Sequence, residues 1–304
     1  MTPDRPMREW VGRERVTEDV IALDRARALA ASLDQDPAAL NAGDVLPHGW
    51  HWIYFHDAIR RSALGEDGHE RRGDFLPPLP QRRRMWAGGR LRFTGSLAIG
   101  ATLRRVSRVR SVENKEGRSG PLVFVTVEHT LHSGDEVVLE EEQDLVFVDR
   151  RPGPEPAAAT RPGSGSAATA RPALMPDAEW SEPFAADEVT LFRFSALTFN
   201  GHRIHYDRGY ATEVEGYPGI VVHGPLLALL LLGAGLRSLG GADDRRDAPT
   251  ALSFDYRALG PVFANETIAL FGTAAPDSGS ERSVALWAAH PERGMTTRAE
   301  LVVR

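Results

Sequence analysis

The residues best suited to chemistry lie together in a polar stretch of the second half of the chain, from Ser195 to Asp207. Within it His205 follows Asn200 by five residues, and Gly201 stands between them, where a turn with positive φ would bring the two side chains toward one point. A neutral imidazole exchanges a proton near neutral pH, and a carboxamide orients a water molecule or a carbonyl group. The pair is therefore a candidate site for proton transfer.

A second candidate lies where an apolar helix is expected to begin. His223, Gly224 and Pro225 precede the run Leu226–Leu236, in which seven of eleven residues are leucine. Proline suits the first turn of a helix, and a backbone N–H at a helix N-terminus stabilises an oxyanion such as a thioester enolate. The Gly224 amide is the candidate for that role.

Spacing alone leaves other interpretations of the histidines open. A histidine in a polar loop is more often structural than catalytic. His202 and His205 would also suit a shared metal ion, but no carboxylate or further histidine stands at the helical spacing that a third ligand would need. We therefore expect no metal site in this stretch.

The elements that must position these residues are predicted from hydrophobic patterning. A helix without a polar face, as over 226–236, is buried on every side. Four short β-like segments follow it, and a similar β pattern runs from Arg90 to Val148 in the first half. One buried helix followed by antiparallel strands predicts an α+β fold with a sheet wrapped around a central helix, the hot-dog arrangement. Two such units in one chain predict a double hot dog.

Two local predictions are less distinctive. The first half is expected to open with a helix that starts near Thr17 and ends before Pro37, because apolar residues recur there at roughly helical spacing. Residues 188–194 are expected to form a short strand or an entry segment.

A composition break divides the chain into two parts. Almost every residue from Arg151 to Pro172 is Pro, Gly, Ser, Ala or Thr, so this segment lacks the apolar face that an ordered element needs. We predict a first domain over residues 1–150, a linker over 151–180 and a second domain over 181–304.

The composition excludes several classes of function. Thirty-six Lys and Arg residues against 42 Asp and Glu residues give a net charge of −6, which offers no basic surface for nucleic acid or an anionic membrane. The absence of cysteine excludes disulfides, thiolate metal sites and a cysteine nucleophile. The charged N-terminus and the lack of an apolar run of ~20 residues predict a cytoplasmic protein.

The residues in both halves carry a resemblance to a known family. The stretch from Asn200 to Asp207, followed by Val222–Leu226, resembles the hydratase motif of MaoC-like, R-specific enoyl-thioester hydratases. Phe75–Pro80 and Arg84–Arg90 are similar to the N-terminal domain of a narrower group, which contains mesaconyl-C4-CoA hydratases, itaconyl-CoA-pathway hydratases and type 2 hydroxyacyl-thioester dehydratases. The resemblance implies a lyase that hydrates an enoyl-CoA reversibly, with no cofactor.

The resemblance also implies roles for particular residues. The catalytic Asp/His pair of the family falls on Asn200 and His205, and its backbone donor falls on Gly224. Because an amide cannot accept a proton, His205 is expected to transfer protons and Asn200 to position water.

Four further residues are expected to contact the substrate: Arg193, Arg203, His223 and Trp86. An arginine suits the free carboxylate of a methyl-branched dicarboxylic acyl group such as that of mesaconyl-C4-CoA, although a surface position or a contact with a CoA phosphate explains each arginine equally well. Large aromatic residues such as Trp86 would favour short acyl groups. The first half is expected to be non-catalytic and to shape the acyl tunnel.

Other functions stay open at this point. They are a 3-hydroxyacyl-ACP or 3-hydroxyacyl-CoA dehydratase of fatty-acid type and a non-catalytic acyl-CoA-binding double hot dog, with a thioesterase less favoured. The expected partner is an acyl-CoA or acyl-ACP thioester. A homodimer is also expected, because hot dogs commonly pair, although a double hot dog already pairs two units within one chain.

Overall fold

The computed structural model of the chain describes residues 5–79, 83–117, 120–148, 176–240, 251–275 and 281–304. Their helices are α1 (Arg5–Arg8), α2 (Leu23–Ser32), α3 (Glu188–Leu197) and α4 (Gly224–Ser238). Their strands are β1 (Glu14–Val20), β2 (Arg83–Phe93), β3 (Thr102–Gly117), β4 (Gly120–Ser133), β5 (Glu136–Val148), β6 (Trp180–Ala185), β7 (Leu252–Ala258), β8 (Thr267–Ala274), β9 (Arg282–His290) and β10 (Gly294–Val303). Most of the predicted linker, 151–180, lies outside the described residues, and its last residue, Trp180, begins β6.

All ten strands belong to one antiparallel sheet, in the order β1-β3-β4-β5-β2-β7-β10-β9-β8-β6. Counted outward from the central pair, the first half runs β2-β5-β4-β3-β1 and the second half runs β7-β10-β9-β8-β6, so the two halves repeat one plan. They join where β2 pairs with β7, from Gly88 opposite Arg257 to Phe93 opposite Leu252. The predicted α+β architecture of two related halves is confirmed, with one continuous sheet in place of two separate ones.

The leucine-rich helix α4 is buried as the sequence predicted. Its buried side chains include Leu226, Leu229 and Leu232, and the helix packs against β7, β8, β9 and β10 and against β2 of the first half. Each fully buried leucine contributes about 1.5–3 kcal/mol of hydrophobic free energy, so α4 anchors the sheet around it. No described helix has the length and hydropathy of a membrane span.

The first half has no helix of this kind at the matching place in its chain order. There, Trp50–Ile53 form one 3₁₀ turn, and a long loop follows up to residue 79. Trp50 and Ile53 are still buried in the core. The central helix of a hot dog is thus present in the second half and shortened to a turn in the first.

The predicted opening helix is wrong at its start. Residues 14–20 form β1, and α2 begins only at Leu23. Thr17 lies opposite Arg105 of β3, and residues along β1 alternate between exposed and partly buried. Pairing with the edge of the sheet therefore decides this segment, because alternate burial suits a strand and not a helix.

The predicted strand over 188–194 is also wrong, since these residues belong to α3. The side chain of Asp187 accepts a hydrogen bond of 2.8 Å from the backbone N–H of Thr190. That contact is an N-terminal cap, which typically contributes ~1 kcal/mol to a helix. α3 packs against α2 and leads directly into the polar stretch.

Candidate active site

His205 lies at the end of a 3₁₀ turn, Arg203–His205, and is 7 % exposed. Its Nδ1 is 2.7 Å from the carbonyl oxygen of Val221. Because a carbonyl oxygen only accepts, Nδ1 carries the proton and Nε2 is the lone-pair nitrogen of the neutral ring. Burial lowers the pKa of His205 to about 4, although the bond to Val221 opposes this. The ring is therefore neutral at pH 7 and can act as a base.

His223, the residue before α4, holds His205 from one side. The two rings are stacked, with centroids 3.7 Å apart and planes inclined by 17°. His223 is fully buried, and its Nε2 is 2.8 Å from the hydroxyl oxygen of Ser195 on α3. Burial and the neighbouring His205 lower the pKa of His223 well below its usual range, so this ring is neutral as well. The stack fixes the plane of the catalytic candidate.

Gly224 begins α4, where the first backbone N–H groups of a helix have no acceptor within the helix. Trp86 of β2 packs beside it: a Cβ atom on Gly224 would lie 3.5 Å from Cε3 of Trp86. Trp86 in turn meets Trp52 and Tyr256 edge-on, at centroid distances of 5.2 and 5.5 Å. These three rings, which we call the aromatic wall, stand next to the N-terminus of α4. Trp86 and Gly224, predicted separately, are therefore in contact.

Asn200 is held by its own side chain. Its Oδ1 accepts a hydrogen bond of 3.0 Å from the backbone N–H of His202, which leaves Nδ2 as a donor. The turn before it does not use a positive φ at Gly201, as we expected; the left-handed residue is Phe199, with φ of 51°. The amide of Asn200 is oriented to donate to a water oxygen, and it cannot take the proton.

Gly201 is required for a different reason, which is the approach of a loop from the first half. A Cβ atom on Gly201 would lie 2.8 Å from the carbonyl oxygen of Gly68, and one on Gly68 would lie 1.9 Å from the carbonyl oxygen of Gly201. The backbone N–H of Arg203 also donates to the carbonyl oxygen of Asp67, at 2.9 Å. The loop 65–70, which we call the docking loop, therefore rests with its backbone directly on the catalytic loop.

The structure places the two predicted substrate arginines differently. Arg203 donates from Nε and Nη2 to Asp207, at 3.0 and 2.7 Å, and from Nη1 to the carbonyl oxygen of Glu66, at 3.2 Å. These contacts give Arg203 a structural role between the catalytic and docking loops. Arg193 is exposed on α3.

A row of imidazoles extends from His205 to the docking loop, and the sequence did not reveal its outer members. The ring of His202 is 5.4 Å from that of His205, and the ring of His69 is 4.4 Å from that of His202, between centroids. Nδ1 of His69 is 3.2 Å from Oδ2 of Asp67. The signal in the sequence was the pairing of a carboxylate and an imidazole in Asp67-Gly-His69, but nothing local linked it to His202. We call His69, His202, His205 and His223 the histidine row.

The outer end of the row also has the donors of a metal site. Donor atoms of Asp67, His69 and His202 all lie within 4.8 Å of one another. Two observations favour hydrogen bonding instead: Asp67 is already bonded to His69, and the positive charge of Arg84 acts on both histidines, lowering the pKa of each. A cation would be repelled by the same charge.

Two cavities flank the docking loop. One, of about 500 Å³, is lined by Asp67, His69 and Arg84 among others, and the other, of about 670 Å³, by Gly68 and Arg203 among others. His205 is absent from the described residues that line either cavity. The first cavity therefore connects with the catalytic candidate only through His69 and His202.

Comparisons with known proteins support the architecture and the chemistry. Residues 49–264 match the family model described as hydroxyacyl-thioester dehydratase type 2. The chain is 47 % identical over 257 residues, 84 % of each chain, to the mesaconyl-C4-CoA hydratase of Chloroflexus aurantiacus. Among solved structures, a MaoC-like dehydratase superposes with a TM-score of 0.69 at 17 % identity, over 98 % of this chain and 99 % of that one. A Mycobacterium tuberculosis protein with a double hot-dog fold superposes with a TM-score of 0.57 at 16 % identity, over 96 % of both chains. These structures confirm the predicted double hot-dog fold.

Proposed function

The chain belongs to the hydroxyacyl-thioester dehydratase type 2 family, and we propose that it adds water reversibly across the α,β double bond of an enoyl-CoA, forming a 3-hydroxyacyl-CoA. Such an enzyme is a hydro-lyase. The observation that carries the proposal is the orientation of His205: a buried, neutral imidazole with Nδ1 bonded to Val221 and Nε2 left as the base. It is stacked on the residue that precedes Gly224.

Each proposed step uses one of these groups. Nδ2 of Asn200 donates to the water oxygen, and Nε2 of His205 takes a proton from that water. The water oxygen bonds to Cβ while the π electrons of the double bond move through Cα to the thioester carbonyl, which becomes an enolate. The N–H of Gly224 donates to the enolate oxygen; removal of one such donor typically costs ~10²–10³ in rate. His205 then gives the proton to Cα as the carbonyl re-forms, and dehydration is the reverse.

For the acyl group we propose a short, methyl-branched dicarboxylic chain, with mesaconyl-C4-CoA as the first example. The name of the 47 % identical relative supports this, and so does the aromatic wall, because bulky rings beside Gly224 leave little room for a long chain. Arg193 is the proposed partner of the free carboxylate, since Arg203 is already bonded to Asp207 and Glu66.

A second candidate is dehydration of a 3-hydroxyacyl thioester of fatty-acid type, carried by CoA or by ACP. The family description names this direction of the same reaction. The two candidates require identical roles for His205 and Gly224, and they differ in the acyl group and the carrier.

The experiment follows the loss of enoyl-thioester absorbance with mesaconyl-C4-CoA, crotonyl-CoA and crotonyl-ACP. We expect the largest kcat/KM with mesaconyl-C4-CoA. Turnover confined to the crotonyl thioesters would instead establish the fatty-acid type of dehydratase. A folded protein that binds CoA thioesters and turns over none of them would contradict both candidates and favour the non-catalytic binding protein.

Assembly and location are further proposals. Val189 and Phe192 on α3 and Phe199 after it are 59 %, 65 % and 62 % exposed. Covering such apolar side chains is favourable, which supports the proposed homodimer. Light scattering on the purified chain tests it, with a mass of twice 33.3 kDa expected. A cytoplasmic location stays a prediction.

A further inference from the structure

The docking loop places a carboxylate and an imidazole of the first half at the end of the histidine row. We propose that Asp67 and His69 are positioning residues of the active site: through His202 they hold His205 and stabilise the positive charge it takes up on accepting a proton from water. The inference rests on the proposed hydration. It runs against the expectation that the first half has no part in the chemistry.

The docking loop is built to hold Asp67 and His69 in register. Oδ1 of Asp67 accepts from the backbone N–H of His69 at 3.1 Å, while Oδ2 meets its Nδ1 at 3.2 Å. The loop is closed by a hydrogen bond of 2.7 Å from the N–H of Gly65 to the carbonyl oxygen of His69. Both oxygens of the carboxylate are thus directed at one residue, and the imidazole of that residue points to His202.

The second half has a reason to need this carboxylate. Asn200 stands where the resembling hydratases have an aspartate, and an amide can neither take a proton nor supply negative charge. Asp207, the other acidic residue of the catalytic loop, is bonded to Arg203 at 2.7 Å. Asp67 is a carboxylate that does reach the row, by way of His69.

The charges along the row suit this role. Burial raises the pKa of Asp67, but the hydrogen bond and charge of His69 outweigh it, so its pKa lies well below the usual range and the group is ionised. Burial lowers the pKa values of His69 and His202, so both rings are neutral at pH 7. The row therefore carries one negative charge at its outer end, which attracts a proton placed on His205. The titratable and charged groups that face the row from the packed elements are Asp67, Arg72, Arg84 and the four histidines themselves.

The test begins with Asp67→Asn, which keeps the shape of the side chain and the acceptor for the N–H of His69 but removes the charge. We expect kcat for the hydrated enoyl-CoA to fall about 10–100-fold, as for other residues that orient a catalytic group, with KM changed less than about threefold. The matched control is Glu66→Gln, which removes one negative charge from the neighbouring exposed position. Glu66 contacts Arg203 only through its backbone oxygen, so kcat should stay unchanged.

A double-mutant cycle separates positioning from general loosening. If Asp67 acts through His69, then Asp67→Asn combined with His69→Gln should cost about as much in kcat as the larger single change. Independent structural effects would multiply instead and would lower the melting temperature in step.

Three results would overturn the inference. Asp67→Asn with wild-type kcat, in a protein that His205→Ala inactivates, would remove it while leaving the hydration intact. A wild-type protein without turnover of any enoyl thioester would remove the hydration and this inference together. A stoichiometric divalent metal in the purified protein, with activity lost on chelation, would make Asp67 and His69 ligands instead of positioning residues.

Discussion

The two halves of the molecule share a strand order and differ in what fills the space after the helix that precedes it. The second half has α4, a buried helix whose N-terminus carries Gly224 beside His205. The first half has a single 3₁₀ turn, Trp50–Ile53, and a long loop in its place. The half with the helix supplies the base and the oxyanion donor. The loop of the other half is free to cross the molecule and dock on the catalytic loop.

The buried polar groups differ in the same way. In the first half, Glu141 is almost fully buried, and its oxygens meet Nε2 of His51 at 3.0 Å and Nε1 of Trp52 at 2.9 Å, which closes the cluster on itself. In the second half, the buried histidines form a row with no carboxylate of their own loop attached. The contrast indicates that the first cluster stabilises the fold, whereas the second is open to chemistry.

The largest effect should come from breaking the contact between the halves. Gly68→Ala would place a Cβ atom 1.9 Å from the carbonyl oxygen of Gly201 and push the docking loop away. Because small misplacements at an active site can cost ~10²-fold, we expect kcat to fall about 100-fold. The matched control is Gly43→Ala: both glycines have φ near 90°, but nothing lies within 4 Å of a Cβ atom on Gly43. A comparable loss of kcat in the control would show that backbone strain alone explains the effect.

The pH profile of kcat/KM tests whether the second half holds a neutral base. Since the protonated imidazole cannot accept a proton, activity is lost as pH falls through the pKa of His205, which burial lowers to about 4 from 6.5. At pH 5.5 the enzyme should therefore hold about tenfold more neutral imidazole than an unperturbed histidine provides. Circular dichroism at each pH checks that the fold persists. An acid limb centred near pH 6.5 would contradict the account.

The aromatic wall should set the acyl length, since it joins rings from both halves. Trp86→Leu would open space beside Gly224, and we expect the ratio of kcat/KM values for octenoyl-CoA and mesaconyl-C4-CoA to rise about tenfold. Trp180→Leu, a similar truncation at the opposite edge of the sheet, serves as the control and should leave the ratio unchanged. Equal shifts in the two variants would show that the wall does not select the substrate.

The smallest effect on catalysis should come from the buried carboxylate of the first half. Burial raises the pKa of Glu141, but His51 outweighs it and lowers the value to about 2 from 4.5. The wild type should therefore lose folding free energy as pH falls from about 4.5 toward 2, because the unfolded chain binds this proton first. Glu141→Gln should keep kcat at pH 7 within about threefold and abolish this part of the pH dependence in urea denaturation. A large drop in kcat would place Glu141 in the active site.

How much of the fold the sequence foretold depended on how local the signal was. The run Leu226–Leu236 has no polar face, and only a buried helix explains it, so α4 and the strands after it were predicted correctly. β1 was mistaken for a helix because its apolar spacing fits both periods, and pairing with β3 decides between them. α3 was mistaken for a strand because the cap at Asp187 was overlooked.

The same distinction explains the site. His205, His223 and Gly224 belong to one continuous stretch, so their types and spacing by themselves point to the reaction. Asp67 and His69 come from the other half, and only the docking of two glycine-containing loops brings them to His202. A contact of that kind has no local pattern, because it depends on how the two sheet halves join.

The most direct measurement compares two histidines, one from each half. His129 of the first half resembles His205 in that burial lowers its pKa to about 4, but it is bonded to Ser107 and lies outside the proposed site. Glutamine cannot accept a proton, so His205→Gln should lower kcat by about 10³-fold or more with little change in KM, whereas His129→Gln should keep kcat near the wild-type value. A His205→Gln enzyme within about tenfold of wild type, or an equal loss in both variants, would contradict the assignment of His205 as the base.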